Sequence, residues 1–391
     1  MTDTTPITAS VQPEKGFCFS VQSLRSYLEQ LDDPRKARGV RYPLADLLIV
    51  LILSKLSGED SMKGMSEWVR LRENTLLRLL EIPRKRLPHQ TTYERVLAGL
   101  DEEAFNALIG AFFSANETDA TWQIALDGKV LRGTIPPGET QGAHLLAAYV
   151  PEKGVVLMQV EVDGKANEKS TAPRLLEAID LQGGVVTGDA MFTQRDLCEQ
   201  IVEAGGDYIF PVKDNQPNLL TMIADVFMPA PVSAGHSRVP LPETQAQTID
   251  HARGRTEYRY LTASSQLNEY LDWPHLGQVF RVQRVVQHHK TGKITYEVLF
   301  GITSLTTEQI TPDHLLHYSR QHWHIENRLH YVRDVTFRED ACTIRRTKRQ
   351  RLLASLNNLV IGLVRQTHFR YLPEARRYFC ANYHEALQLL L

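Results

Sequence analysis

"WQIALDGKVLRGTIPPGETQGAHLLAAYVPEKGVVLMQVEVD", residues 122–163, is where the hydrophobic period of the chain changes. Before it, from about residue 21 to 115, apolar residues recur at helical spacing; within it they alternate or run in short blocks, which is strand patterning. The pattern predicts strands over 122–130, 143–150 and 155–163, separated by the turn-forming "TIPPGETQG" and "PEKG". Strands joined so closely form an antiparallel meander. "STAPRLLEAID" then predicts a helix, "GGVVTGD" an apolar strand, "TQRDLCEQIVEAGG" a second helix and "DYIFPVK" another strand. A meander followed by strand–helix–strand crossovers makes an α/β sheet of mixed direction.

Working outward, residues 1–20 read as a polar tail and 21–118 as an all-α N-terminal domain. Within that domain, 74–100 reads as helix, short turn, helix. This is the outline of a helix-turn-helix, with Gln90, Thr91, Tyr93, Glu94 and Arg95 near the start of its second helix, although a plain helical bundle fits the same pattern. The α/β core is assigned to 119–213 and 311–370, with a β-rich insertion at 214–310 and a C-terminal helix in 371–391. Two long helices are expected at about 311–334 and 346–367.

Of the 391 residues, 42% are hydrophobic and 23% charged, the balance of a folded globular protein rather than a disordered one. The longest apolar run, "LADLLIVLIL" at 44–53, is too short to cross a bilayer and carries Asp46, so a buried helix is expected. No membrane partner and no secretory leader are expected, and the four scattered cysteines suit a reducing cytoplasm. The net charge of −2 hides basic clusters in "PRKARGVR" (34–41), "RKR" (84–86) and "RRTKRQR" (345–351). Together they point to a polyanion partner.

Asp127 stands at the end of the first core strand and Asp189 at the end of a later one, the place where side chains of an α/β sheet converge on a ligand. The plain alternatives are an Asp-Gly turn for Asp127 and a helix N-cap for Asp189. Glu326, on the late helix "HWHIENRLHYVRDVTFRED" (322–340), could complete a carboxylate set with them. Such hard oxygen ligands suit Mg²⁺ or Mn²⁺, and two ions about 3.5–4 Å apart can activate a nucleophile and steady the leaving oxygen of a phosphodiester. By helical spacing His322, Glu326, His330 and Arg333 share one stripe of that helix.

The wording of "ALDGKVLRGT", "GDAMFTQ", "GGDYIFPVKDNQPNL" and "HWHIENRLHYVRDVTFRED", with "LDDPRKARGVRYPLADLLIVLI" before them, resembles the H-repeat-associated group of DDE insertion-sequence transposases. The resemblance covers about residues 20–370. It implies a ribonuclease-H-like core, and Asp127, Asp189 and Glu326 as catalytic metal ligands. It also implies cleavage and strand transfer at the ends of an insertion element, by a homodimer or higher oligomer on double-stranded DNA at the nucleoid. His322, Asn327, His330 and Arg333 would then lie near phosphate, and Lys129, Arg132 and Lys213 join them as DNA-contacting candidates. Where the wider superfamily sets an arginine four residues before the glutamate and a lysine seven after it, this chain has His322 and Arg333.

Two further basic groups are assigned to DNA. Arg253, Arg255 and Arg259 of "HARGRTEYR" suit a β-ribbon contact, and Arg345, Lys348 and Arg349 share a helix face that could hold one phosphate backbone. A zinc hydrolase using His322, Glu326 and His330 is the rival chemistry, but the HExxH spacing is absent. An inactive, domesticated DNA-binding descendant is the other alternative.

Overall fold

The computed structural model describes residues 23–114, 122–135, 138, 140, 142–163, 167–227, 244–342 and 347–390, so the expected polar tail lies outside the described residues. Six helices come first: α1 (Ser23–Leu28), α2 (Leu44–Leu56), α3 (Met62–Leu71), α4 (Glu73–Leu79), α5 (Gln90–Gly99) and α6 (Glu102–Ser114). Next come β1 (Trp122–Leu131), β2 (Ala143–Val150), β3 (Val155–Val162), α7 (Glu168–Glu177), β4 (Gly184–Gly188), α8 (Arg195–Glu203), β5 (Asp207–Val212) and α9 (Pro217–Phe227). Strands β6 (Thr244–Ala252), β7 (Arg255–Ser264), β8 (Gln278–His288) and β9 (Ile294–Thr303) lead to α10 (Pro312–Gln321), α11 (Tyr331–Val335), α12 (Thr347–Arg365), α13 (Leu372–Ala381) and α14 (Tyr383–Gln388). The meander strands fall within one residue of where the alternation puts them. Among the described residues no helix is long and apolar enough to cross a membrane.

The chain forms two compact units, and the first takes Met1–Thr118, Lys129–Val162 and Glu326–Leu391. Its strand order is β3-β2-β1, with β1 entering by its last three residues, and β2 and β3 pair antiparallel from His144↔Val162 to Val150↔Val155. Helices α6 and α12 pack on β3. Every residue of α2 is buried, its apolar side chains on all faces together with Asp46, Ser54 and Lys55. The expected helix-turn-helix is not what forms here. Residues 80–89 separate α4 from α5, far more than the roughly three- or four-residue turn of that motif, and α5 buries Tyr93, Val96 and Leu97 as one element of a helical bundle.

Burying α2 whole leaves Lys55 in the interior, 3.6 Å from Asp60, which also takes Arg376 at 2.7 Å. Desolvation pushes the Lys55 ammonium down to about 8, against the pull of Asp60. An unfolded lysine titrates near ~10.4, so between about pH 8 and 10.4 the unfolded chain holds a proton that the native chain has released. Stability from this group therefore rises with pH across that window. Lys55→Met should lie within about 1 kcal/mol of wild type at pH 7, because Asp60 keeps Arg376, and should then lose roughly 2–3 kcal/mol relative to wild type by pH 10. Urea unfolding of both proteins at pH 7, 9 and 10 measures this; a constant difference between them would show that Lys55 does not titrate there.

The second unit takes Asp119–Gly128 and Asp163–Ile325, with strand order β1-β4-β5-β9-β8-β7-β6. The pairs β1–β4 and β4–β5 are parallel, and the rest of this run is antiparallel. The insertion is therefore continuous with the sheet: β9 pairs with β5 from Ile209↔Thr303 to Val212↔Phe300, and the other three strands extend from it. Alternation in the sequence shows that these strands exist, whereas the β5–β9 pairing depends on contacts far apart in the chain. One face buries Leu261, Ala263, Phe280 and Val282 against Leu315 and Leu316 of α10. On the other, α9 sets Phe227 in a stack on Phe300, with ring centroids 6.4 Å apart.

Candidate active site

The parallel ladder between β1 and β4 ends at Leu126↔Gly188. Asp127, still on β1, and Asp189, one residue past β4, follow directly, so two carboxylates leave the chain where the ladder stops. Both are half-buried. Asp127 does not close its strand, since β1 runs on to Leu131; its Oδ1 accepts the Gly128 N–H at 2.9 Å within the strand, not in a tight turn. Asp189 occupies the N-cap position of a single 3₁₀ turn over Ala190–Phe192, yet its side chain makes no capping hydrogen bond. Directly before it, a Cβ on Gly188 would come 2.6 Å from the ring of the fully buried Phe192. Packing of this aromatic over a glycine sets the backbone from which Asp189 projects.

The floor under the pair is polar. Gln123 Nε2 donates to Thr187 Oγ1 at 2.8 Å and to the Tyr318 carbonyl at 2.9 Å, fastening α10 to β1 and β4. Thr187 Oγ1 donates to the Ile124 carbonyl at 3.2 Å and stands 3.4 Å from His322 Nδ1. Burial lowers the His322 pKa, opposed by the charges of Asp189 and Asp127, and burial prevails. A neutral imidazole beside two carboxylates is no cationic phosphate clamp. Lys213, one residue past β5, supplies the positive charge of a cleft lined also by Gly188, Asp189, His322 and Trp323. The Trp323 side chain is 51% exposed there.

The expected stripe of His322, Glu326, His330 and Arg333 does not hold. After α10 the chain takes a π-helical turn over Ile325–His330, which changes the phase on which the three-and-four spacing depends. His322 is buried, Glu326 and Asn327 are exposed, His330 is half-buried, and Arg333 is fully buried. Arg333 ion-pairs with Glu339 at 2.8 Å and donates to Gln159 Oε1 at 3.1 Å. Its charge is spent inside the first unit, contrary to the expectation of a phosphate contact.

The other basic candidates divide in the same way. Lys129 is buried against Asp334 at 2.6 Å, while Arg132 is largely exposed, 3.7 Å from Asp340. Arg253 and Gly254, both at positive φ, form the two-residue turn between β6 and β7, consistent with the Ala252↔Arg255 pairing. Arg253 is exposed at that tip, Arg255 lies 3.6 Å from Glu257, and Arg259 is held by Glu257 and Asp250. Arg345 lies outside the described residues, Lys348 is exposed, and Arg349 pairs with Glu94 at 3.3 Å. The expected three-residue stripe on α12 thus loses Arg349 to an internal partner.

Among the described residues no three of His, Cys, Asp or Glu lie close enough to form a preformed metal cluster. Mg²⁺ does not need one: it is commonly held by one or two carboxylates together with water and substrate phosphate, so the Asp127–Asp189 pair fits it. Gln123, Thr187 and Trp323 escaped the sequence reading. The signal for the first two was present, as polar side chains inside otherwise apolar strands.

Comparison with known proteins places the chain in a class. Residues 119–363 match the Transposase DDE domain family and residues 25–113 the DDE_Tnp_1-associated family. The chain belongs to the Transposase DDE domain family and is a DDE-type transposase. It is 29% identical over 358 residues to transposase-named YncI of Escherichia coli O157:H7, covering 89% of this chain and 88% of that one. To the H repeat-associated YhhI of Escherichia coli K12, also transposase-named, it is 27% identical over 88% of this chain and 91% of that one. A solved synaptic complex of piggyBac transposase with hairpin DNA matches 95% of this chain and 79% of its own at a TM-score of 0.45 and 10% identity, too distant to bear on the argument.

Proposed function

We propose that this transposase binds the ends of an insertion element and cleaves and rejoins DNA there, with Asp127, Asp189 and Glu326 holding one or two Mg²⁺ or Mn²⁺ ions. The observation that carries the reading is the pair of aspartates released together where the β1–β4 ladder stops. The strand order β3-β2-β1 in one unit and β1-β4-β5 in the other supports a ribonuclease-H-like core. Glu326 follows His322 by four residues, is exposed, and sits in a π-helical turn, a local departure from α geometry often found at functional sites. When bound, the metal would activate a water or a 3′-hydroxyl and stabilise the leaving oxygen. The residues around it have their own parts. Thr187 and Gln123 orient His322 and α10, neutral His322 fills the space beside the carboxylates without adding charge, and Lys213 offers a cation to the scissile phosphate. DNA is the substrate, a dimer or higher oligomer on two ends is the expected assembly, and the nucleoid is where it would act.

The test uses the purified chain with duplexes carrying the inverted repeats that flank its gene. Strand cleavage that leaves a 3′-hydroxyl at the repeat boundary, present with Mg²⁺ or Mn²⁺ and absent with EDTA, is the expected result. Zn²⁺-dependent hydrolysis, or binding of the ends without cleavage under any metal, would overturn it.

A further inference from the structure

Two of the basic runs, 34–41 and 84–86, lie more than forty residues apart in the chain, yet the fold brings them together in the first unit. The Tyr42 hydroxyl donates to the Arg86 carbonyl at 2.8 Å, and Arg84 Nε donates to the Arg41 carbonyl at 3.3 Å. Each loop is also braced on its own side. Arg35 clasps Asp33 and reaches the Tyr42 carbonyl at 2.7 Å, and Glu73 Oε1 accepts the Leu87 N–H at 2.7 Å. These contacts use backbone carbonyls and two of the arginines, and they leave a surface of Lys36, Arg38, Arg41, Arg84, Lys85 and Arg86, every one exposed. Lys36, Arg38 and Lys85 carry no ion pair among the described residues.

Like charges are not gathered on a braced surface without cost, because each cation raises the energy of the next unless an anion shares the place. The contrast with α12 sharpens the point. There Arg349 and Arg351 are equally basic in sequence but are matched by Glu94 and Glu102. In the two loops carboxylates are missing from 34–41 and from 82–87, and of those that flank the runs Asp33 is taken up by Arg35.

We infer that the joined loops 34–41 and 84–86 form a phosphate-backbone clamp for duplex DNA, a contact that positions the transposase on its substrate without reading bases. The inference rests on the DNA-processing reading above and adds to it where the duplex is gripped. Lysines and arginines on irregular loops present flexible point charges and forks to phosphate oxygens, whereas base readout calls for a helix or ribbon fitted to a groove. Here α5, the helix after the second loop, buries Tyr93, Val96 and Leu97 and ties Glu94 to Arg349; Thr91 and Arg95 stay exposed on it, a single cation beside the six of the loops.

The experiment compares the full-length protein with the triple variant Lys36→Gln/Arg38→Gln/Lys85→Gln, chosen because these side chains brace nothing. Affinity for a repeat-bearing duplex and for an unrelated duplex of equal length is measured by fluorescence anisotropy from low to moderate salt. Each lost phosphate contact should flatten the slope of log K against log salt by about 0.9, so the variant's slope should be shallower by roughly 2–3 for both duplexes alike. Unchanged circular dichroism and thermal midpoint would show that the variant is folded. A folded variant with the wild-type slope overturns the clamp while leaving the transposase reading intact. A loss confined to the repeat-bearing duplex also overturns it, since the surface would then read sequence. A wild-type protein that binds neither duplex overturns clamp and function together.

Discussion

Asp189→Asn is expected to bind element ends as wild type does and to cleave them at least roughly a thousandfold more slowly in Mg²⁺, about 4 kcal/mol of barrier. The substitution is nearly isosteric, and the backbone at 189 is set by β4 and by the packing of Phe192 against Gly188, neither of which it touches. What it removes is one negative charge from a site that would hold divalent cations through very few ligands. An amide oxygen is a weaker ligand for Mg²⁺ than a carboxylate, and the ion dehydrates reluctantly, so the proposed site would lose the ion rather than adapt to the change. The same reasoning applies to Asp127, one residue past the ladder on the neighbouring strand. Single-turnover cleavage of labelled ends, with binding measured on the same preparation, separates chemistry from affinity. Cleavage by Asp189→Asn within about tenfold of wild type would remove Asp189 from the metal site.

The contrast between what was legible and what was not follows a physical line. The meander could be read because alternation is a local property, and each strand carries its own signal over eight to ten residues. The neighbouring positions of Asp127 and Asp189 could be read almost as well. An acidic residue after an apolar run marks where a parallel ladder stops, and crossover connections gather such points on one edge, although β1 itself runs on past Asp127 to Leu131. The attachment of the insertion could not be read, because the pairing of Val212 with Phe300 joins residues far apart in sequence and nothing local encodes it. The π-helical turn at Ile325–His330 was hidden for another reason. Projection onto a regular helix assumes a constant angle per residue, and one wide turn displaces everything after it, which is how Arg333 came to be placed beside Glu326. The basic residues show the same gap. Lys129, Arg259 and Arg349 are as conspicuous in sequence as Lys36 or Lys85, and only tertiary structure reveals that the first three already have carboxylate partners.

Arg333→Met is expected to destabilise the first unit by about 3–5 kcal/mol while leaving any DNA contact made elsewhere unaltered in the folded protein. Arg333 has no exposed surface, and Glu339, its ion-pair partner at 2.8 Å, is itself nearly buried. Methionine fills much of the volume of the arginine stem but leaves the Glu339 carboxylate with Asn357 Nδ2, 2.9 Å away, as its nearest remaining donor. An amide compensates only part of a buried negative charge. Gln159 Oε1 also loses one of its two donors and keeps Asn358 at 2.9 Å. The cost thus arises from stranding an anion rather than from losing a favourable pair, so Arg333→Met/Glu339→Gln should recover much of the stability although it removes a second native group. Urea unfolding of the two single variants and the double variant gives the coupling directly. Should Arg333→Met instead unfold like wild type and lose affinity for DNA, the residue would face phosphate as its spacing from Glu326 suggests, and the buried pair would not describe the protein in solution.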